Sequence, residues 1–241
     1  MAALCRGALD KGLSALCITD HYDDWSLFDP AAYASEYREA RDAYAGRLEL
    51  LLGVELGEGH LAPERSAALL QAALFDFVLG SCHYIEGQPD FYVIKYSDEA
   101  HCRQLIGAYL NELPRMIAWG GFDVLGHLTY PLRYMAGRDG FDVDFLWAED
   151  RVRAVFRALI ESGRGLEVNV SGLRAGSFAM PDLPLLKLYR ECGGEIVTVG
   201  TDAHRAEDVG AHVADGYELL RAAGFSRVAV YRGRRVEFVG I

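Results

Sequence analysis

The chain has 241 residues, 51% of them hydrophobic and 11% aromatic, which is enough to bury a core and excludes a disordered or low-complexity protein. Its 24 basic and 35 acidic side chains leave a net charge of −11, which repels nucleic acid and would repel a phosphorylated substrate too, unless metal ions or local arginines reverse the field. No run of about 18 apolar residues is present, so no membrane span is expected, and Arg6, Asp10 and Lys11 interrupt the amino-terminal stretch before a secretory core can form.

In chain order, a helix is expected over 2–11, followed by an apolar run at 15–19. Further runs at 48–54, 77–79, 123–125, 166–170 and 196–199 lack strict alternation, as do strands covered on both faces of a parallel sheet. Between them, Asp29 and Pro30 open a helix as cap and first helical residue, and Gly46 stops it. Ser97-Asp98-Glu99 opens another, with acids on the positive end of the helix dipole. Helices over 147–162 and 185–192 end at Gly163 and Gly193-Gly194, and runs at 227–231 and 234–239 form a terminal appendage joined at Gly233. No linker or repeat divides the chain, so a single α/β domain over 1–241 is expected. The five cysteines, Cys5, Cys17, Cys82, Cys102 and Cys192, are odd in number and lack a C-x-x-C pair. That argues against a disulfide framework or a thiolate zinc site and for the reducing cytoplasm.

The chemistry-bearing residues fall directly after the strands: Asp20-His21, Glu55, Ser81-Cys82-His83, Gly126-His127, Glu167 with Asn169, and Thr201-Asp202-Ala203-His204. In an open sheet only strands flanking a switch point share a site, whereas in a barrel all carboxyl ends meet at one mouth, so this distribution favours a barrel. His21, His83, His127 and His204, with Glu55 and Asp202 and no thiol, suit Zn²⁺, Mn²⁺ or Fe²⁺. Two ions sharing such ligands would lower the pKa of a bridging water, clamp phosphoryl oxygens and overturn the negative field locally.

Taken singly, each residue has a plainer reading. One histidine after a strand is more often packed and hydrogen-bonded than a ligand; the weight lies in the joint pattern. His60 is placed in a loop, and His101 and His212 in helical segments, all three as solvated or capping residues. Asp20 is read as a carboxylate orienting a neighbouring histidine. Glu167 is either a loop-capping acid or a ligand. Arg133, Arg174 and Arg205 either fork onto phosphate oxygens or lie on the surface. Asn169, with Ser171-Gly172, either orients substrate or turns the chain. Cys82 is read as buried filler.

The strings Ile18-Thr19-Asp20-His21, Gly53-Val54-Glu55, Gly80-Ser81-Cys82-His83, Gly126-His127, 167–174 (EVNVSGLR) and Gly200-Thr201-Asp202-Ala203-His204 together resemble the PHP (polymerase and histidinol phosphatase) family of metal-dependent phosphoesterases, its histidinol-phosphatase branch in particular. The resemblance implies a distorted (β/α)7 barrel with two or three divalent ions at its carboxyl face. It implies that His21, Glu55, His83, His127, Asp202 and His204 are ligands, with Asp202 and His204 also catalytic, and that Arg133, Arg174 and Asn169 contact substrate. The implied reaction takes L-histidinol phosphate to L-histidinol and phosphate in histidine biosynthesis. Another small phosphoester or a nucleotide is an alternative substrate, and a non-catalytic metal-binding homologue is the alternative of a different class. The family opens with a strand bearing His-x-His, and none stands upstream of His21. The expectation is therefore a PHP barrel missing its first strand and two or three ligands. Its open sheet edges would be available for pairing with another chain.

Overall fold

The computed structural model describes residues 1–23 and 28–241. The apolar runs become the parallel strands β1 (Ala15–Ile18), β3 (Glu49–Gly57), β4 (Phe77–Ser81), β5 (Val124–Leu125), β6 (Gly165–Asn169) and β7 (Val197–Gly200). An additional two-residue strand, β2 (His21–Tyr22), continues along the edge of β3 that β1 has begun. The sheet is seven-stranded, in the order β1-β3-β4-β5-β6-β7 with β2 on β3. Parallel neighbours need crossover connections, and helices supply them. These are α2 (Pro30–Tyr44), α3 (Pro63–Ala72), α4 (Glu99–Trp119), α5 (Tyr130–Met135), α6 (Glu149–Glu161) and α7 (Leu183–Glu191), with α1 (Ala2–Asp10) before the sheet and α8 (Val213–Ala222) after it.

Helix starts follow local chemistry. Asp29 Oδ1 accepts the N–H groups of Ala31 and Ala32, as an N-cap should. α7 begins at Leu183, two residues before the sequence expectation. Asp182 caps it by accepting from Leu185 N at 3.3 Å, and Pro184 falls in the first turn, where its missing N–H costs nothing.

Strands β4, β5 and β6 are buried throughout, whereas β1 and β7 are largely half-buried. Among the described residues no ladder joins β7 to β1, so the curled sheet is open on one side. Both strands border one cavity of about 480 Å³, lined by Leu16 and Ile18 from β1 and by Val199 and Gly200 from β7. No described helix is long and apolar enough to cross a membrane.

The terminal appendage is an antiparallel hairpin, β8 (Arg227–Arg232) and β9 (Arg235–Gly240), and it plugs the amino-terminal end of the sheet. Ala229 and Tyr231 pack with Phe77, Leu79 and Val124 in a cluster separate from the main core. The turn is latched there by Gly233 N donating to Asp76 Oδ1 at 2.9 Å and by an Arg234–Asp123 ion pair at 2.6 Å. The opposite, carboxyl-terminal rim is left free for chemistry.

Candidate metal centre

Strand register assembles the site. His21 lies opposite Glu55 across the β2–β3 ladder, and Glu55 opposite Leu79, two residues before Ser81. Glu55 becomes a hub. Its Oε1 lies 3.0 Å from His127 Nε2 and 3.3 Å from His83 Nε2 and accepts from Ser81 Oγ at 2.5 Å, while its Oε2 lies 3.6 Å from His21 Nδ1. Glu55, His83 and His127 are 6%, 4% and 3% exposed.

Burial alone would raise the Glu55 pKa. The hydrogen bonds from His127 and His83 and the nearby His21 charge outweigh it and hold the carboxyl well below its ordinary range. Burial likewise opposes charge on His21, yet the contact with Asp23 and the Glu55 charge raise it to about 9. His83 is raised as well, by Asp23 and Glu55 acting against burial.

Three imidazoles converging on one buried carboxylate form a donor set suited to a borderline divalent ion. His21, Glu55 and His83 offer ligand atoms within 4.8 Å of one another, and His127 Nδ1 is buried with no hydrogen-bond partner among the described residues. These residues fit a metal.

The rim after β7 is held by arginines. Asp202 adopts a left-handed φ of 49°, unfavourable for a residue with a side chain. Arg133 Nη2 donates to Asp202 Oδ2 at 2.8 Å and to Ser171 Oγ, and Arg174 donates to the carbonyls of Thr201 and Asp202, the latter at 3.0 Å. Burial tends to raise the Asp202 pKa, as does Glu55, but Arg133 and His127 prevail and lower it. His204 stands at the mouth, 68% exposed, with its ring 5.7 Å from that of His21. Asn169 is engaged inside the wall: its Nδ2 donates to Glu167 Oε2 at 3.3 Å, and its Oδ1 accepts from Ser171 Oγ at 2.6 Å. Arg205 lies on the surface, 76% exposed.

Several residues differ from the sequence reading. Among the described residues, the carboxylate that reaches His21 belongs to Asp23, 3.1 Å from His21 Nδ1, rather than to Asp20. The His60 side chain is not solvated: it is 3% exposed, with Nε2 2.7 Å from Glu112 Oε1 on α4. Glu167 supports the centre, its Oε2 accepting the His127 N–H at 2.9 Å, and burial pushes its pKa up to about 8. Ser81 and Glu58 also join the network, Ser81 on Glu55 and Glu58 on the backbone of His83. Cys82 is filler, fully buried as expected.

Fold and site together define an α/β protein built on a curled, mostly parallel half-barrel with a metal-type centre on its carboxyl rim. A family model described as the PHP domain matches residues 1–171, and the chain belongs to this family. The histidinol-phosphatase of Lactococcus lactis subsp. lactis is 26% identical over 242 residues, covering 95% of this chain and 87% of that protein. A probable histidinol-phosphatase of Deinococcus radiodurans is 31% identical over 252 residues, covering 96% and 90% respectively. A crystal structure of the Lactococcus lactis histidinol phosphate phosphatase, complexed with zinc, L-histidinol and phosphate, aligns with a TM-score of 0.80. It is 22% identical and covers 98% of this chain and 91% of that one.

Proposed function

We propose that this chain is a metal-dependent phosphomonoesterase that hydrolyses L-histidinol phosphate to L-histidinol and phosphate, a reaction of histidine biosynthesis. The observation that carries the reading is the Glu55 hub with His21, His83 and His127 at the rim of a PHP-family fold. The histidinol-phosphatase relatives support the choice of substrate.

His21, Glu55, His83 and His127 would hold the ions, with Asp202 and His204 completing the set from the β7 loop; two or three of Zn²⁺, Mn²⁺ or Fe²⁺ are proposed. When bound, such ions supply Lewis acidity to phosphoryl oxygens and acidify a water molecule. Arg133 places a guanidinium beside Asp202, a planar fork of the kind that pairs with phosphate oxygens. Arg174 acts through the main chain of Thr201 and Asp202, fixing the loop that carries His204. Asn169 acts through Ser171, which Arg133 also touches. The five cysteines are free, which accords with a cytosolic setting.

The test is phosphate release from L-histidinol phosphate by the chain reconstituted with Mn²⁺ or Zn²⁺, beside His127→Ala. Loss of a residue that merely supports a ligand costs about 10–100-fold, so loss of a ligand is expected to cost more than ~100-fold. Equal turnover by the two proteins, or none by the unsubstituted chain, refutes the reading.

A further inference from the structure

Two buried carboxylates outside the ligand set stand behind His83. Asp23, 1% exposed, follows His21 by two residues and is turned toward the same side. Its Oδ2 lies 3.1 Å from His21 Nδ1 and its Oδ1 3.7 Å from His83 Nδ1, while the opposite nitrogen of His83, Nε2, faces Glu55 Oε1 at 3.3 Å. Gly57 makes room for this carboxylate: a Cβ at that position would fall 1.7 Å from Asp23 Oδ1. Glu58, 3% exposed, secures the main chain of the same histidine, accepting the N–H of His83 and that of Tyr84, the latter at 3.3 Å. Glu58 does so from a left-handed φ of 46°.

We propose that Asp23 is a positioning residue for the metal centre. Its Oδ2 engages His21 Nδ1, and its Oδ1 joins Glu58 Oε1, each 3.7 Å from His83 Nδ1, in a pair of carboxylates that favours the Nδ1–H tautomer of His83 and leaves Nε2 for an ion held with Glu55. Glu58 fixes the backbone to which that ring is attached, and Gly57 is required because any side chain there would displace the carboxylate. This inference rests on the metal-centre reading above. A carboxylate behind a ligating imidazole sets its tautomer and orientation and raises its basicity.

Asp23→Asn keeps the shape and removes the charge. Zinc affinity, measured by competition with a chromophoric chelator, is expected to fall about 10–100-fold. In Gly57→Ala, whose Cβ would crowd Asp23 Oδ1 and, at 3.3 Å, His83 Nδ1, zinc affinity is expected to fall similarly. A long-range ¹H–¹⁵N spectrum of the zinc-loaded protein adds a readout that a merely structural residue would not move. It should show His83 as the Nδ1–H tautomer, and the signal should change in Asp23→Asn. Unchanged zinc affinity in both variants, or a zinc-loaded His83 that is not Nδ1–H, overturns the proposal while the functional reading stands. Failure of the unsubstituted chain to bind zinc at all overturns both.

Discussion

Glu167 makes the metal-free protein sensitive to pH in a direction that can be worked out. Its carboxyl sits in the wall beneath His127; burial, reinforced by the charges of Glu55 and Asp202, raises it from 4.5 to about 8 against the opposing hydrogen bond from His127 N–H. The folded state therefore binds a proton that the unfolded state has lost, and stability must fall as pH rises between those two values. At roughly 1.4 kcal/mol per pH unit, the upper bound on this contribution is ~5 kcal/mol, present in full below the unfolded pKa and lost by about pH 8. His21, raised to about 9, loses its own stabilising contribution as pH rises from its ordinary value through 9, and Glu58, raised to about 7, and His83, also raised, add theirs, so the raw slope of the protein mixes several groups. Subtraction separates them. Glu167→Gln keeps an oxygen for the His127 N–H but cannot ionise, so its stability should decline less between pH 5 and about pH 8. The measurement is urea unfolding of both proteins in EDTA across that range. If the two slopes coincide, Glu167 does not carry the proton and the burial argument is wrong.

Two further outcomes are expected. Arg133→Met should raise KM for the phosphorylated substrate about 10-fold or more and weaken inhibition by inorganic phosphate alongside it, because the paired donors near Asp202 are lost; unchanged values in steady-state assays would remove Arg133 from the phosphate site. Tyr231→Ala, which empties the hairpin plug beside Phe77, whose ring lies 5.2 Å away, should cost ~3 kcal/mol in urea unfolding while leaving zinc affinity intact, since the plug and the rim are at opposite ends of the sheet.

Much was legible in the amino-acid sequence because it depends on short-range pattern. Continuous apolar runs mark strands covered on both faces, and β4, β5 and β6 are buried throughout. The cap at Asp29 marks a helix start through its own side-chain oxygen, whereas at 97–99 the start is legible but the cap is Asp98 rather than Ser97. Polar residues stranded at the ends of such runs have few reasons to be there, so His21, Glu55, His83 and His127 stand out before any folding, and the structure brings these four into one network.

Tertiary structure decided what depends on distant partners or on which face a residue takes. Asp20 is adjacent to His21 in the chain, but the bend that follows β2 brings Asp23 onto it instead. His60, in the turn after β3, meets Glu112 on α4, 52 residues later, and no local pattern announces that pair. The terminal hairpin read as an appendage until its turn latched onto Asp76 and Asp123 and closed the end of the sheet. Residue types and their periodicity thus specify the elements and the candidate ligands. Only the packed chain, by setting register, burial and the reach of one side chain to another, determines which carboxylate supports which imidazole.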